Sequence, residues 1–275
     1  MSDMMFLRFQ EVIMSELGIN VTSAKKTMIQ ARLAKRLRIR QLHSYEEYFD
    51  YVFKTADGRA EIQDFIDVIT TNKTDFFREP HHFDYLIGTA LPQLLARNER
   101  NIPRVINLWS AGCSSGEEPY TLAMLMDDFI HSQPGINYSI LASDICTTVL
   151  KKAQSAIYPQ NLAAPIPLGF KKKYLLKSKD RAKNQVRIVP QLRSKVRFKQ
   201  INFMDPDFDL PTRMDIIFFR NVIIYFDHET QQTVLEKMCR HLRTGGYLFI
   251  GHSETLSGFR LPLTAVGPTI YRKTA

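Results

Sequence analysis

Val105-Ile106-Asn107-Leu108-Trp109-Ser110-Ala111-Gly112-Cys113-Ser114-Ser115-Gly116-Glu117-Glu118-Pro119-Tyr120 reads as a strand, a small-residue loop and the start of a helix. The apolar run Val105 to Leu108 feeds the loop, and apolar residues recur at helical spacing from Tyr120 to Ile130. Gly112 and Gly116, with Ala111, Ser114 and Ser115 about them, leave little side-chain bulk at the turn, so a flat ligand can lie close to the backbone. That is the geometry of a nucleotide site. The Lys-Ser/Thr pair of a phosphate-binding loop is missing, and two carboxylates, Glu117 and Glu118, stand at the helix start. Polyphosphate is disfavoured there, whereas a ligand bearing a sulfonium or ammonium charge fits.

Outward from this stretch the text alternates strand and helix from about Pro103 onward, the pattern of an α/β, doubly wound, mostly parallel sheet. Val105 to Ser110 is its first strand, Tyr138 to Ser143 its second and Val196 to Ile201 its third, with a helix over Thr147 to Ala156. Asp215 to Phe219, Tyr247 to Gly251 and Thr269 to Arg272 supply the others. Between Tyr158 and Arg193 the prolines 159, 165 and 167, a lysine cluster and the alternation Gln185-Val186-Arg187-Ile188-Val189 predict a small antiparallel β insert, at about 158–195. Residues 1–75 carry Leu, Ile, Met and Phe at helical spacing and predict an all-helical N-terminal domain, leaving 76–275 to the sheet domain. Ile29, Leu33 and Leu37 form one apolar stripe in the helical part, and Arg32, Lys35 and Arg36 project from a neighbouring face.

The net charge of +9 is unevenly spread. Lys171 to Lys199 holds twelve basic residues and one acid, while residues 1–75 balance eleven against eleven yet gather seven basic residues and no acid between Lys25 and Arg40. Two basic patches of this kind suit nucleic acid, an anionic membrane surface or an acidic protein, and charge alone does not choose. No apolar run reaches the roughly 18 to 20 residues of a membrane span, and Met1 to Phe9 lacks the layout of a signal peptide, so a cytoplasmic protein is expected. Cys113, Cys146 and Cys239 are odd in number and lack metal-type spacing, so neither a disulfide framework nor a metal site is expected.

In an open sheet of this class ligands bind beyond the carboxyl ends of the strands. Asp144 ends the second strand, where it can accept both ribose hydroxyls or instead cap the helix near Thr147. Asn202 and Phe203 follow the third strand, where an amide and a backbone N–H can read an adenine edge or simply form a turn. Arg220-Asn221 abruptly ends the apolar run Ile216 to Phe219. Upstream, Asn72, Thr74 and Arg78 lie where the helical region joins the sheet domain and can converge on a ligand or serve as cap and surface residues. No Pro-Pro-aromatic motif of nucleobase methylation follows the fourth strand. Gly251-His252-Ser253-Glu254 closes the next strand and reads as pocket floor rather than general base.

Five segments, Thr71 to Glu79, Trp109 to Tyr120, Ala142 to Ile145, Arg220 to Phe226 and Gly251 to Glu254, stand in the order of one family. Through them nearly the whole chain resembles the bacterial chemotaxis receptor methyltransferases, CheR. The resemblance implies an S-adenosylmethionine-dependent enzyme that methylates glutamate side chains on the cytoplasmic helices of chemoreceptors, leaving gamma-glutamyl methyl esters and S-adenosylhomocysteine, with no metal. It implies that Asn72, Thr74 and Arg78 line the cofactor site, that Glu118 faces the methionine part and Asp144 the ribose, and that Asn202 and Phe203 meet the adenine. Arg220 and Asn221 complete the pocket, with Arg78 and Tyr225 nearest the transferring methyl. Arg32, Lys35, Arg36 and Arg38 match the basic helix that contacts the acidic receptor, to whose membrane arrays the cytoplasmic enzyme is recruited.

In some members the β insert docks a receptor tail peptide. Here the expected loop, Lys177 to Asn184, holds no glycine, which argues against that contact. An ordinary glutamate is anionic at neutral pH, so the acceptor needs no general base and only placement at a near-attack separation of roughly 3 to 3.5 Å. Nucleic-acid contact and membrane insertion are not expected. The competing readings are a methyltransferase of this fold acting on RNA or another acidic macromolecule, and a non-catalytic cofactor-sensing scaffold.

Overall fold

The computed structural model describes residues 1–96 and 104–274, so Pro103 lies outside the described residues. Helix α1 (Asp3–Leu17) starts at Ser2, whose hydroxyl accepts the Met5 N–H at 3.2 Å, and stops at Gly18 in the left-handed conformation, φ 68°. Helices α2 (Lys26–Arg40), α3 (Tyr45–Lys54) and α4 (Arg59–Ile69) complete a bundle. Ile29, Leu33 and Leu37 are buried, as their spacing requires, against Phe9, Tyr48, Val52 and Phe65. Inside this bundle Glu61 is 0% exposed. Arg36 donates to both its oxygens at 2.7 Å, Arg40 Nε at 2.5 Å and the Tyr48 hydroxyl at 2.9 Å. Burial alone would raise the Glu61 pKa, but these donors hold it below the usual range.

The chain continues through α5 (Pro80–Tyr85), a π-helical turn and α6 (Leu91–Ala96) to β1 (Arg104–Ala111), α7 (Glu117–Ile130), β2 (Ile136–Asp144) and α8 (Thr147–Ser155). The insert follows as β3 (Ile157–Pro159), α9 (Leu168–Tyr174), β4 (Leu175–Lys177), β5 (Gln185–Ile188) and α10 (Pro190–Arg193). Then come β6 (Val196–Gln200), β7 (Met214–Phe219), α11 (His228–His241), β8 (Leu242–Ile250), β9 (Leu263–Gly267) and β10 (Ile270–Lys273). The main sheet runs β6-β2-β1-β7-β8-β10-β9, parallel from β6 to β8 and antiparallel at β10 and β9. All six residues of β7 are buried, as expected of a parallel strand covered on both faces. Within it Asp215 accepts from Arg104 Nη2 at 2.6 Å and from the Asn107 N–H at 2.9 Å, so its charge is balanced.

The insert forms a separate antiparallel sheet, β3-β5-β4, so the alternating text around Val186 is a hairpin partner and not part of the main sheet. Strand β9 was not expected from the sequence: Leu263-Thr264-Ala265-Val266-Gly267 is half-exposed at the sheet edge, where burial does not impose a two-residue period. The three cysteines are buried and free. Among the described residues no helix is long and apolar enough to cross a membrane.

The helical bundle is fastened to the sheet domain through α4. Asp67 accepts the N–H groups of Thr147 and Thr148, both at 2.9 Å, and the Thr147 hydroxyl at 3.2 Å, so it caps α8 from the other domain. Gln63 donates to the Ile145 carbonyl at 3.1 Å and accepts from Gln200 at 2.6 Å. A second fastening joins Ile19 and Phe226 in an isolated antiparallel bridge, with the Asn20 N–H donating to the Tyr225 carbonyl at 2.7 Å.

Candidate functional site

Strand order reverses between β1 and β7, and the loops leaving Ala111, Asp144 and Phe219 meet there. In the first loop Gly112 has φ 83° and Gly116 φ 98°. A Cβ on Gly112 would come within 2.5 Å of Val222 Cγ2, and one on Gly116 within 2.8 Å of Ala153 Cβ and the Tyr158 hydroxyl. Both glycines are thus required by conformation and by space. The Gly112 and Cys113 N–H groups donate to the Ser143 carbonyl at 2.8 Å, locking the loop to β2.

A cavity of about 290 Å³ opens at this reversal. Its wall includes all ten residues that sequence reasoning assigned to cofactor and chemistry: Asn72, Thr74 and Arg78 from the joining segment, Glu118 from the first turn of α7, Asp144 from the end of β2, Asn202 and Phe203 from the loop after β6, and Arg220, Asn221 and Tyr225 after β7. Glu118 lines it, whereas Glu117 is turned aside, 3% exposed, and accepts from the Ser115 hydroxyl at 2.8 Å. Asp144 does not cap α8, a task that falls to Asp67. Its two oxygens accept the Ser114 N–H at 2.8 Å and the Cys146 N–H at 2.9 Å, which orients the carboxylate and leaves each oxygen a second lone pair. Burial raises the Asp144 pKa and these amides oppose the rise.

Arg220 is 6% exposed, and its charge is shared between two acids. Nη1 lies 3.2 Å from Glu118 Oε2 and Nη2 lies 3.1 Å from Glu79 Oε2, while Nη2 also donates to the Arg78 carbonyl at 2.5 Å. Glu118 accepts from the Ser110 hydroxyl at 2.7 Å; burial raises its pKa against the pull of Arg220 and Ser110. Glu79 sits in the left-handed region at φ 58° and was not singled out in the sequence, since its partner lies 141 positions away. Asn221, also left-handed at φ 58°, gives its N–H to Glu254 Oε2 at 2.9 Å, and Glu254 Oε1 accepts the Ile223 N–H at 2.9 Å. The Gly251-to-Glu254 turn therefore supports the site through Glu254. His252 is exposed and contacts His81 at 3.1 Å instead. Buried His82 has its pKa lowered to about 2 by burial and by Arg220 with the neighbouring histidines, so its 3.5 Å approach to Glu79 is a neutral contact.

The Asn202 amide is directed elsewhere than sequence suggested. Nδ2 donates to the Glu16 carbonyl at 2.7 Å and Oδ1 accepts the Met204 N–H at 3.0 Å, so the side chain ties the wall to the end of α1. Sequence reasoning also missed the roof, formed by Leu17, Ile19, Val21, Lys25 and Met28 of the helical bundle. Its one signal was the pair Ile19 and Val21, apolar residues stranded outside any helix just past Gly18.

The four basic residues of α2 lie off the cavity and divide in two. Arg32 donates to the Ile69 and Thr70 carbonyls at 2.6 and 3.1 Å, and Arg36 is committed to Glu61 and, at 2.5 Å, to Asp64. Both point into their own domain, which departs from the expectation of a free basic face. Lys35 and Arg38 are exposed, and among the described residues Arg38 reaches only its own helix, at the Ala34 carbonyl, 3.4 Å.

The donor set suits S-adenosylmethionine: carboxylates of Glu118 and Asp144 for a cationic, hydroxyl-bearing ligand, apolar faces of Ile145, Phe203 and Val222, and glycine-lined space at Gly112. Comparison with known proteins agrees. Residues 72–271 match the family described as CheR methyltransferase, SAM binding domain, and residues 4–70 match CheR methyltransferase, all-alpha domain. A chemotaxis protein methyltransferase of Borreliella burgdorferi is 38% identical over 97% of this chain and 93% of its own. Chemotaxis protein methyltransferase 2 of Pseudomonas aeruginosa is 37% identical over 97% and 91%. The Escherichia coli chemotaxis protein methyltransferase is 35% identical over 98% and 91%. With both family domains matched in order across this fold and this cavity, the chain belongs to the CheR methyltransferase family.

Proposed function

We propose that this methyltransferase esterifies glutamate side chains on the cytoplasmic helical domain of chemoreceptors. The observation that carries the reading is the presence of Arg78 and Tyr225, two donors suited to a carboxylate, on the wall of the same cavity as Glu118 and Asp144. When bound, S-adenosylmethionine supplies a methyl group on a sulfonium, an electrophile that a carboxylate attacks directly. Asp144 holds the ribose, Asn202 and Phe203 the adenine side, and Glu118 the charged methionine end, with Arg220 fixed between Glu79 and Glu118 to keep that end in place.

Arg78 and Tyr225 orient the acceptor oxygen. The Arg78 guanidinium already gives one donor to the Lys73 carbonyl at 3.1 Å, which moderates its grip and preserves the nucleophilicity of the carboxylate. The roof from Leu17 to Met28 keeps water from a reaction in which opposite charges disappear. Outside the cavity Lys35 and Arg38 meet the acidic receptor helix, and that contact recruits the cytoplasmic enzyme to membrane receptor arrays. The β insert offers β4 as an edge strand, but the glycine-free loop Lys177 to Asn184 speaks against its docking a receptor tail.

The test is to incubate the protein with methyl-labelled S-adenosylmethionine and receptor cytoplasmic fragments, with and without their tails. Label released as methanol in mild base is expected. Base-stable label would overturn the ester in favour of a nucleic-acid or N-methyl acceptor, and cofactor binding without transfer to any fragment would favour a sensing scaffold.

A further inference from the structure

Helix α11 buries Val234, Leu235 and Met238 against the sheet, and with them it buries a lysine. Lys237 is 4% exposed. Its Nζ donates to the Phe203 carbonyl at 2.5 Å and to the Asp205 carbonyl at 2.6 Å, and stands 5.0 Å from the centre of the Phe208 ring. Among the described residues no carboxylate oxygen lies within salt-bridge reach of it. Removing a cation from water without an anion is costly, and an apolar side chain would fill the same helix face without that cost. What the ammonium does is bind two carbonyls of one turn. That turn, Asn202 to Asp205, is closed by the Asp205 N–H donating to the Asn202 carbonyl at 3.1 Å, and its first two residues form part of the cavity wall. The Phe203 ring is meanwhile wedged against Phe219, 5.0 Å between centroids, and Trp109, 6.4 Å.

We propose that Lys237 is a positioning residue for the adenine end of the cofactor: it draws the Phe203 and Asp205 carbonyls into the core and so holds the Asn202–Phe203 stretch in place as part of the cavity wall. The ammonium has three donors, of which two serve the carbonyls and the third faces the Phe208 ring. Only a group with at least two donors at that depth can hold both carbonyls at once. Burial lowers the Lys237 pKa, and both carbonyl contacts survive in the neutral amine, which retains two N–H groups. The inference rests on the assignment of Asn202 and Phe203 to the adenine.

Lys237→Met and Lys237→Gln are compared with the parent by calorimetry with S-adenosylhomocysteine and with adenosine, and by turnover on a receptor fragment. Lys237→Met is expected to raise Kd for both ligands at least tenfold, with KM for the receptor fragment unchanged and kcat at saturating cofactor within twofold. Lys237→Gln, which can still hold one carbonyl, falls between. If Lys237→Met does not fold, Lys237→Ala titrated with propylammonium supplies the same readout, and recovery of adenosine affinity is the expected result. Unchanged adenosine affinity in a folded Lys237→Met or Lys237→Gln protein, no response to propylammonium, or a fall in kcat at constant Kd overturns the proposal. Inosine, whose base edge reverses the donor and acceptor of adenine, separates the two layers. If the parent binds inosine as tightly as adenosine the adenine assignment is wrong, whereas if it discriminates between them and Lys237→Met leaves adenosine affinity unchanged, only the role of Lys237 falls.

Discussion

Asp67→Ala tests the joint between the two domains. The carboxylate accepts two backbone N–H groups and one hydroxyl from the first turn of α8, and Gln63 Nε2 at 2.7 Å. Loss of an N-terminal cap costs about 0.5–2 kcal/mol, and the charge at the helix start adds about 0.3–1 kcal/mol. The site is half-buried, so water re-solvates part of what is freed, and we predict a loss of about 2 kcal/mol. For a chain of this size that lowers Tm by roughly 4–8 °C. Asp67→Asn keeps the shape and one acceptor oxygen and should lose about half as much.

The pH dependence is specific. Burial raises the Asp67 pKa, but the donors of Thr148, Gln63 and Thr147 outweigh it and leave it lowered. A lowered folded value means that the contribution is complete above the ordinary aspartate value of about 3.9 and is lost only as pH falls below it. Urea midpoints at pH 7, 6 and 5 should therefore show the same difference between variant and parent. Because α8 begins just after Ile145 on the cavity wall, S-adenosylhomocysteine affinity should fall as well. A variant that melts within about 1 °C of the parent, or a deficit that already shrinks between pH 7 and pH 5, would refute the reasoning.

Three further expectations concern the basic helix, the glycine loop and the reaction centre. Arg36→Ala strips buried Glu61 of its bidentate partner but leaves it Arg40 and Tyr48, and should cost about 1.5–3 kcal/mol in urea unfolding, whereas Lys35→Glu with Arg38→Glu should leave stability unchanged and raise KM for the receptor fragment. An unaltered KM would make those exposed residues ordinary solvated charges. Gly112→Ala places a Cβ against Val222 at a left-handed position and should lose about 1–3 kcal/mol together with cofactor affinity; adding Val222→Ala should restore part of both, and failure to do so would locate the cost in the backbone alone. Tyr225→Phe should lower kcat more than it raises cofactor Kd, and the reverse pattern would remove Tyr225 from the acceptor side.

The parallel sheet and the Gly112–Gly116 loop were legible because their determinants are local: an apolar run, small residues at a turn, acids at a helix start. That Glu118 rather than Glu117 lines the cavity was not legible in local spacing, because its physical reason, the Ser110 hydroxyl and Arg220, comes from strands far apart in sequence. Arg36 looked like a free surface charge because its partner Glu61 lies on another helix, and no helical spacing encodes a contact between helices. Asp144 presented a similar ambiguity, since a carboxylate before a helix resembles a cap and the true cap, Asp67, arrives from the other domain. The cavity roof was illegible for the same reason: Leu17, Ile19 and Met28 look like bundle residues until the bundle is placed over the sheet.

The ligand chamber belongs to neither domain, since α1 and α2 roof a floor made by the strand ends. Whatever fills it acts as mortar in a seam, and its binding energy is added to the adhesion between the two domains. At a hundredfold excess over Kd that adhesion grows by about 2.7 kcal/mol. Filling and emptying the chamber thus tightens and loosens the seam between the helical bundle and the sheet.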